Sequence, residues 1–269
     1  MEAAVHALPK RRTQGWAIVA EQELRDLWLG GRGLLLGFGF SVLLSIIAYL
    51  TATNQALNFL EQRESVNVTL QVAIAVGSLL ALLAAADAIS GERERSTLES
   101  LLLAPVSRLG LTGGKLVAAL SLWLAAFVIT IPYVWFLGRG VYLVGDALLV
   151  GIFVGTLLAV FLASLGFVIS VFASSNRVSL SLSLFLLLAV FAPTQLPSSA
   201  QKGWAGEFLL RVNPLTAGEH YVGKIIVNGH SWSEDASWLI SPIIAAPTFL
   251  LLAAFVGARY IRLGRRAAE

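Results

Sequence analysis

Six long apolar blocks dominate this chain and leave few options for its fold. They run at about 33–52, 69–89, 116–137, 147–172, 178–194 and 238–261. A bilayer's hydrocarbon core takes about 20 residues of helix to cross. Inside that core every backbone N–H and C=O must be paired within the protein, which a helix achieves on its own. The expected fold is an all-α polytopic membrane protein, a single membrane domain over 1–269 with six transmembrane helices. Composition agrees. The chain is 57% hydrophobic and 13% charged, whereas a soluble domain carries about 25% charged residues.

The polar segments between the blocks set the rest of the expectations. Residues 1–12 read as a basic arm, with Lys10, Arg11 and Arg12 but no apolar core of a cleavable signal peptide. Residues 13–30 predict an amphipathic helix, because Trp16, Ala20, Leu24, Leu27 and Trp28 recur at helical spacing. Two tryptophans suit the membrane interface, and packing on protein is the other reading. The stretch from Asn54 to Asn67 is polar and reads as a loop. Pro132 predicts a bend in the third block. Gly33/Gly37 and Gly151/Gly155 have the spacing that lets helices approach closely.

Charge fixes the expected orientation. Of 19 Lys and Arg, only Arg63, Arg139, Lys202, Arg211 and Lys224 fall on the side opposite the N-terminus. The positive-inside rule then places both termini in the cytoplasm, and an even number of spans agrees. The net charge of +3 reads as topogenic, with no nucleic-acid partner.

Chemistry is hard to find. The absence of cysteine excludes disulfides, thiolate metal sites and cysteine nucleophiles. Gly110–Leu116 fails as a phosphate loop: Leu109 stands where a glycine is needed and Leu116 where a hydroxyl must hold magnesium. His6, His220 and His230 lie outside the apolar blocks and lack ligand spacing. Asp87 is the one acid inside a block, too few for an aspartyl pair. Intramembrane acids are costly and default to functional suspects. A gating charge and an interfacial residue paired with Arg93 or Arg95 are both open for Asp87. Neither catalytic, cofactor-binding nor metal-binding residues are expected, and the chain reads as a non-enzyme.

The informative segment is 90–108. Ser96 and Glu99 have capping-box spacing directly before an apolar run, and Pro105 ends that run. A short helix with Leu98, Leu101 and Leu102 on one face is expected, preceded by the alternating charges Glu92, Arg93, Glu94 and Arg95. Such a helix suits docking of a soluble partner, or a place on the lipid surface. This stretch resembles the loop after the second span of ABC-2 type permeases, in which an acid is followed by charged residues, then T-L/I-E-x-L-L-x-x-P-V/I-S-R. Glu92, Glu94, Thr97, Glu99, Leu101, Leu102, Pro105, Ser107 and Arg108 match. Ser96 stands where glycine is usual. Asn213-Pro214-Leu215 is similar to the family's N-P-L segment before the last span.

The resemblance implies a permease that pairs with a second permease chain, a homodimer, in a bacterial or archaeal cell membrane. It implies two copies of a separate ABC ATP-binding subunit, docked through a cytoplasmic coupling helix by Glu92, Arg93, Glu94, Arg95, Ser96, Thr97, Leu98, Glu99, Leu102 and Arg108. Segment 195–237 would form re-entrant or interfacial helices at the outer face, with Trp204, Phe208, Tyr221 and Trp232 in interfacial places. Membrane lipid and an extracytoplasmic accessory protein complete the expected partners. Exporter-type transport is the first functional reading. A membrane subunit that drives a partner protein, and an intramembrane lipid-modifying enzyme, are the alternatives.

Overall fold

The computed structural model describes residues 15–53, 59–103, 106–195 and 203–261. The basic arm 1–12, Pro105, Lys202 and the terminal Arg262, Arg265 and Arg266 lie outside the described residues. The described residues form helices and short 3-10 turns, with no strand among them. In chain order the helices are α1 (Gly15–Trp28), α2 (Arg32–Thr53), α3 (Phe59–Asp87), α4 (Ser90–Glu94), α5 (Leu98–Leu103), α6 (Arg108–Gly138), α7 (Val144–Phe172), α8 (Asn176–Phe191), α9 (Trp204–Val212), α10 (Pro214–Ile226) and α11 (Ile240–Tyr260). Six of them, α2, α3, α6, α7, α8 and α11, are long and apolar enough to cross a membrane. The end of the bundle that holds Asp87 to Arg108 is called basal here, and the other apical.

The core is built on α7, which packs against α3, α6, α10 and α11. Small residues on α7 make this possible. Gly151 lies against Leu70, Gly155 against the Trp123 ring and Ile74, and Gly166 against the backbone of Leu82 and Ala86. The Gly151/Gly155 spacing is thus a packing groove, whereas at Gly37 only Ile129 is near, at ordinary contact distance. Trp123, 1% exposed, fills the crossing of α3, α6 and α7. Its indole N–H donates to Thr156 Oγ1 at 3.1 Å, which satisfies the one polar group the ring buries.

Two helices begin earlier than the apolar blocks suggest. α3 starts at Phe59, so the polar stretch through Asn67 is helix rather than loop. Several of its polar side chains reach the α10 segment. Gln71 Nε2 donates to the Glu219 carbonyl at 3.4 Å and to Asn67 Oδ1 at 3.3 Å, and Arg63 Nη1 donates to the Val227 carbonyl at 3.3 Å. α6 starts at Arg108, capped by Ser107 Oγ, which accepts from the Gly110 N–H at 3.1 Å. It runs as one helix through Pro132.

α1 is the expected amphipathic helix, and it packs along the first turns of α6. Val19 and Ala20 are buried, with Val19 against Gly114, and Trp28 Nε1 donates to Ser121 Oγ at 3.0 Å. Its other face leaves Trp16 and Ile18 exposed.

At the apical end the chain turns back into the bundle. α10 begins with Pro214 at its first position and Asn213 Oδ1 accepting from the Leu215 N–H at 3.0 Å. Asn213 also donates to the Val190 carbonyl of α8 at 2.6 Å. Gly218 sits against Val154 and Leu158 of α7. Leu158 is about 21 Å along α7 from Val144, so α10 starts deep and climbs back out. Along α10 the chain thus folds back into the bundle, while α9 leaves Trp204 and Phe208 exposed. Tyr221 departs from the interfacial place expected of it. It is fully buried, and its hydroxyl donates to the Trp232 carbonyl at 2.9 Å.

Candidate functional site

The segment from Asp87 to Arg108 is a helix, a turn and a second helix. α3 breaks at Ala88, and the break is held from behind. Ser170 Oγ of α7 accepts from the N–H groups of Ile89 at 3.0 Å and Ser90 at 2.9 Å. Ser179 Oγ of α8 donates to the Ala86 carbonyl at 2.7 Å. α4 then runs across the basal ends of α7 and α8. Its two central charges meet opposite helix poles. Arg93 donates to the carbonyls of Val171, at 3.1 Å, and Ala173, where the last turn of α7 presents unpaired acceptors. Glu94 Oε2 accepts from the N–H of Asn176, the first residue of α8, at 3.1 Å. A cation at a helix C-terminus and an anion at an N-terminus are the two favourable placements in the field of the macrodipole.

α4 ends in a Schellman motif. The Ser96 N–H donates to the Arg93 carbonyl at 3.3 Å and the Thr97 N–H to the Glu92 carbonyl at 3.0 Å, with Ser96 left-handed at φ 60°. The capping box expected at Ser96 and Glu99 is therefore not formed. Ser96 closes α4 instead, and Thr97, whose carbonyl accepts from Leu101 N–H at 3.2 Å, precedes α5. This also accounts for the glycine usual at this place in the permeases that the loop resembles, since glycine alone adopts this backbone freely. Ser96→Gly is expected to stabilise the chain by about 1 kcal/mol, read as a raised melting temperature in detergent.

In front of α4 lies a charge network that joins five elements. Lys115 of α6, with 1% of its side chain exposed, reaches Glu23 of α1 at 2.6 Å and Glu92 of α4 at 3.3 Å. Arg95 lies 3.7 Å from both Glu92 and Asp87, and Arg32 of α2 lies 3.6 Å from Asp87. Thr97 Oγ1 donates to the Glu92 carboxylate. Asp87 therefore pairs with Arg95 and Arg32 and not with Arg93, which is committed to α7. The network borders a cavity of about 760 Å³ between α1, α2, α3, α6 and α8.

The expected docking residues divide by this geometry. Glu92, Arg93 and Glu94 tie the segment to its own bundle, and Leu98 is buried. Leu102 packs partly against the core. Ser96, Thr97, Glu99 and Arg108 face outward, and Arg95 is half exposed. Leu103, 85% exposed, and Leu109 add an apolar surface beside them. Arg108 is informative: a cation in the first turn of a helix is opposed by the macrodipole, so its own helix does not explain it. Glu23, Arg32 and Lys115 were not expected in the site. Lys115 stands alone among Gly113, Gly114 and Leu116 in what becomes helix, and that isolation was the only signal for it.

A second cavity of about 340 Å³ lies at the apical end, lined by Gln71, Thr216, Glu219, His220 and Lys224 among others. Burial pushes the Glu219 carboxyl up to about 7, and no cation pairs with it among the described residues. Between pH 4.5, the ordinary glutamate value, and about 7 the folded state holds a proton that the unfolded state has released. Stability is then expected to fall as pH rises through that window, by up to about 3 kcal/mol. Melting of the wild type and Glu219→Gln at pH 5 and pH 8 checks this: the glutamine variant loses that part of the slope. His220 and His230 both lie near Asp235. His220 stacks on Trp238 at 4.3 Å, with its pKa lowered chiefly by burial, and His230 Nδ1 is 2.5 Å from Asp235.

A comparison with curated proteins finds no match. The model of the family described as ABC-2 family transporter protein matches residues 17–266. That span contains α1 from its third residue, the basal network, α10 and all six long apolar helices, and the chain belongs to the ABC-2 transporter family, as a multi-pass membrane permease of an ABC transporter.

Proposed function

We propose that this chain is the membrane-spanning subunit of an exporter-type ABC transporter, driven by a separate ATP-binding subunit docked on its basal face. One observation carries the reading. α4 is fixed to the ends of α7 and α8 by Arg93 and Glu94, while the adjoining Glu99, Leu103 and Arg108 face outward. A partner that grips this surface has a rigid handle on the spans. The basal end is then cytoplasmic, as the Lys and Arg distribution supports, and both termini lie there, in a bacterial or archaeal cell membrane. Two permease chains with two ATP-binding subunits would form the pathway. α2, of whose most apolar stretch only 17% is buried in the single chain, offers a face to lipid or to the second copy. The carboxylates and arginines of the basal network hold conformation and carry no hydrolytic role.

The test is co-purification of the full chain from its own host membranes, scored by a bound protein with ATPase activity and a Walker A motif. Leu103→Asp combined with Glu99→Lys is expected to strip that protein while leaving the melting temperature of the permease unchanged. Retention of the ATPase at wild-type level by the doubly substituted chain would place the docking surface elsewhere.

A further inference from the structure

The basal cavity is polar at one end and apolar at the other. Asp87, Glu92, Arg95 and Lys115 line the first, with Asp26 and Arg32 at the rim; Leu36, Leu80, Leu83 and Leu122 line the second. Its volume, about 760 Å³, lies in the range of small-molecule sites. The charges do not balance. Each base in the lining already has an acid: Lys115 has Glu23 and Glu92, Arg95 has Glu92 and Asp87, and Arg32 has Asp87. Among the acids, Asp26 has no ion pair or hydrogen bond among the described residues. Asp87, whose side chain is 16% exposed, has only two long guanidinium contacts, at 3.6 and 3.7 Å, and accepts no hydrogen bond. A carboxylate removed from water, as Asp87 is, wants a charged donor, and the exposed Asp26 adds a second negative charge at the rim. What the cavity lacks is a positively charged donor, and what its inner wall offers is a run of leucines.

We propose that this cavity binds a membrane amphiphile with an ammonium headgroup, its charged end at Asp87 and Asp26 and its chain along Leu36, Leu80 and Leu83. The inference rests on the permease reading and names the cargo class for it. An anionic headgroup is disfavoured, because it would face four carboxylates and three bases that are already paired. The same cavity includes Glu92, Arg95, Thr97 and Leu101, so its occupant touches the segment that carries the docking surface.

Native mass spectrometry of the full chain in dodecyl maltoside tests this without any ATPase. The probes are dodecylammonium, dodecyl phosphate, phosphatidylethanolamine and N-acetylated phosphatidylethanolamine. One saturable adduct per chain is expected for the ammonium-bearing probes, with binding about tenfold weaker for dodecyl phosphate and the acetylated lipid. Binding of phosphatidylethanolamine alone would point to a bilayer lipid, and binding of both ammonium-bearing probes to single-chain amphiphiles as well. Asp87→Asn is expected to weaken the adduct about tenfold, and Ala84→Trp, which fills the cavity from α3, to abolish it. Should Asp87→Asn not fold, the exposed Asp26→Asn serves in its place, with a loss of about threefold. Equal or tighter binding of dodecyl phosphate overturns the proposal, as does undiminished binding by Ala84→Trp. The co-purification assay on the same preparations keeps the two ideas separate. Amphiphile binding without an ATPase partner would defeat the transporter mechanism alone, and an ATPase partner without amphiphile binding would defeat the cargo assignment alone.

Discussion

Lys115→Met is expected to destabilise the permease by about 3–5 kcal/mol. The lysine side chain is 1% exposed and sits 2.6 Å from Glu23 and 3.3 Å from Glu92. Methionine keeps the length and apolar stem but removes the charge. Glu23 is then left with no cation among the described residues and Glu92 with only the long contact to Arg95, two partly buried carboxylates in an arrangement worse than no charges at all. The prediction separates electrostatics from packing. If charge imbalance is the cause, Lys115→Met with Glu23→Gln and Glu92→Gln should recover most of the loss, since a neutral cluster of similar volume needs no counterion. Melting of the purified chain in detergent measures both steps. A further readout is protease cleavage between α1 and α2, expected to rise in the single variant because α1 loses its strongest polar tie to the bundle. A single variant as stable as wild type would show that Glu23 and Glu92 find other partners.

The second large effect is expected at Gly155. A side chain there would overlap the Trp123 ring and press on Ile74 at 3.2 Å. Neither neighbour can yield easily, since Trp123 is fixed by its bond to Thr156 and Ile74 is 1% exposed. Overpacking a filled core costs about 1–3 kcal/mol and sometimes more. A leucine at this three-helix crossing is expected at or beyond the top of that range, with loss of monodisperse protein on size exclusion. Gly39→Leu is the matched control: it lies on α2 with open space around its α-carbon, and its melting temperature should stay near wild type. Gly166→Ala should resemble Gly155→Leu more than its small size suggests. The added carbon would come within 2.5 Å of the Leu82 carbonyl, and backbone cannot swing aside as a side chain can.

The six spans and the presence of a helix before and after the second polar break were legible because they depend on composition within one segment. Boundaries failed where polarity had a tertiary cause. Asn67 and Gln71 read as loop and span edge, yet they face α10, a helix more than a hundred residues later in the chain. The charged loop was legible as a motif but not as a geometry. Nothing local tells that Arg93 will reach the end of α7, or that Lys115 will meet Glu23 across 92 positions. Ser96 shows the converse limit. The spacing to Glu99 satisfies a capping rule, but the stronger demand at that position is a left-handed residue to close α4, and one residue cannot serve both.

The clamp that α4 places on its neighbours also has a mechanical consequence. α7 and α8 run in opposite directions, and one five-residue helix holds the tail of the first and the head of the second through adjacent side chains. Because both grips are charge-assisted and attach to backbone, little slack separates them. A load applied at α4 would therefore reach an ascending and a descending span at once, instead of drawing one past the other.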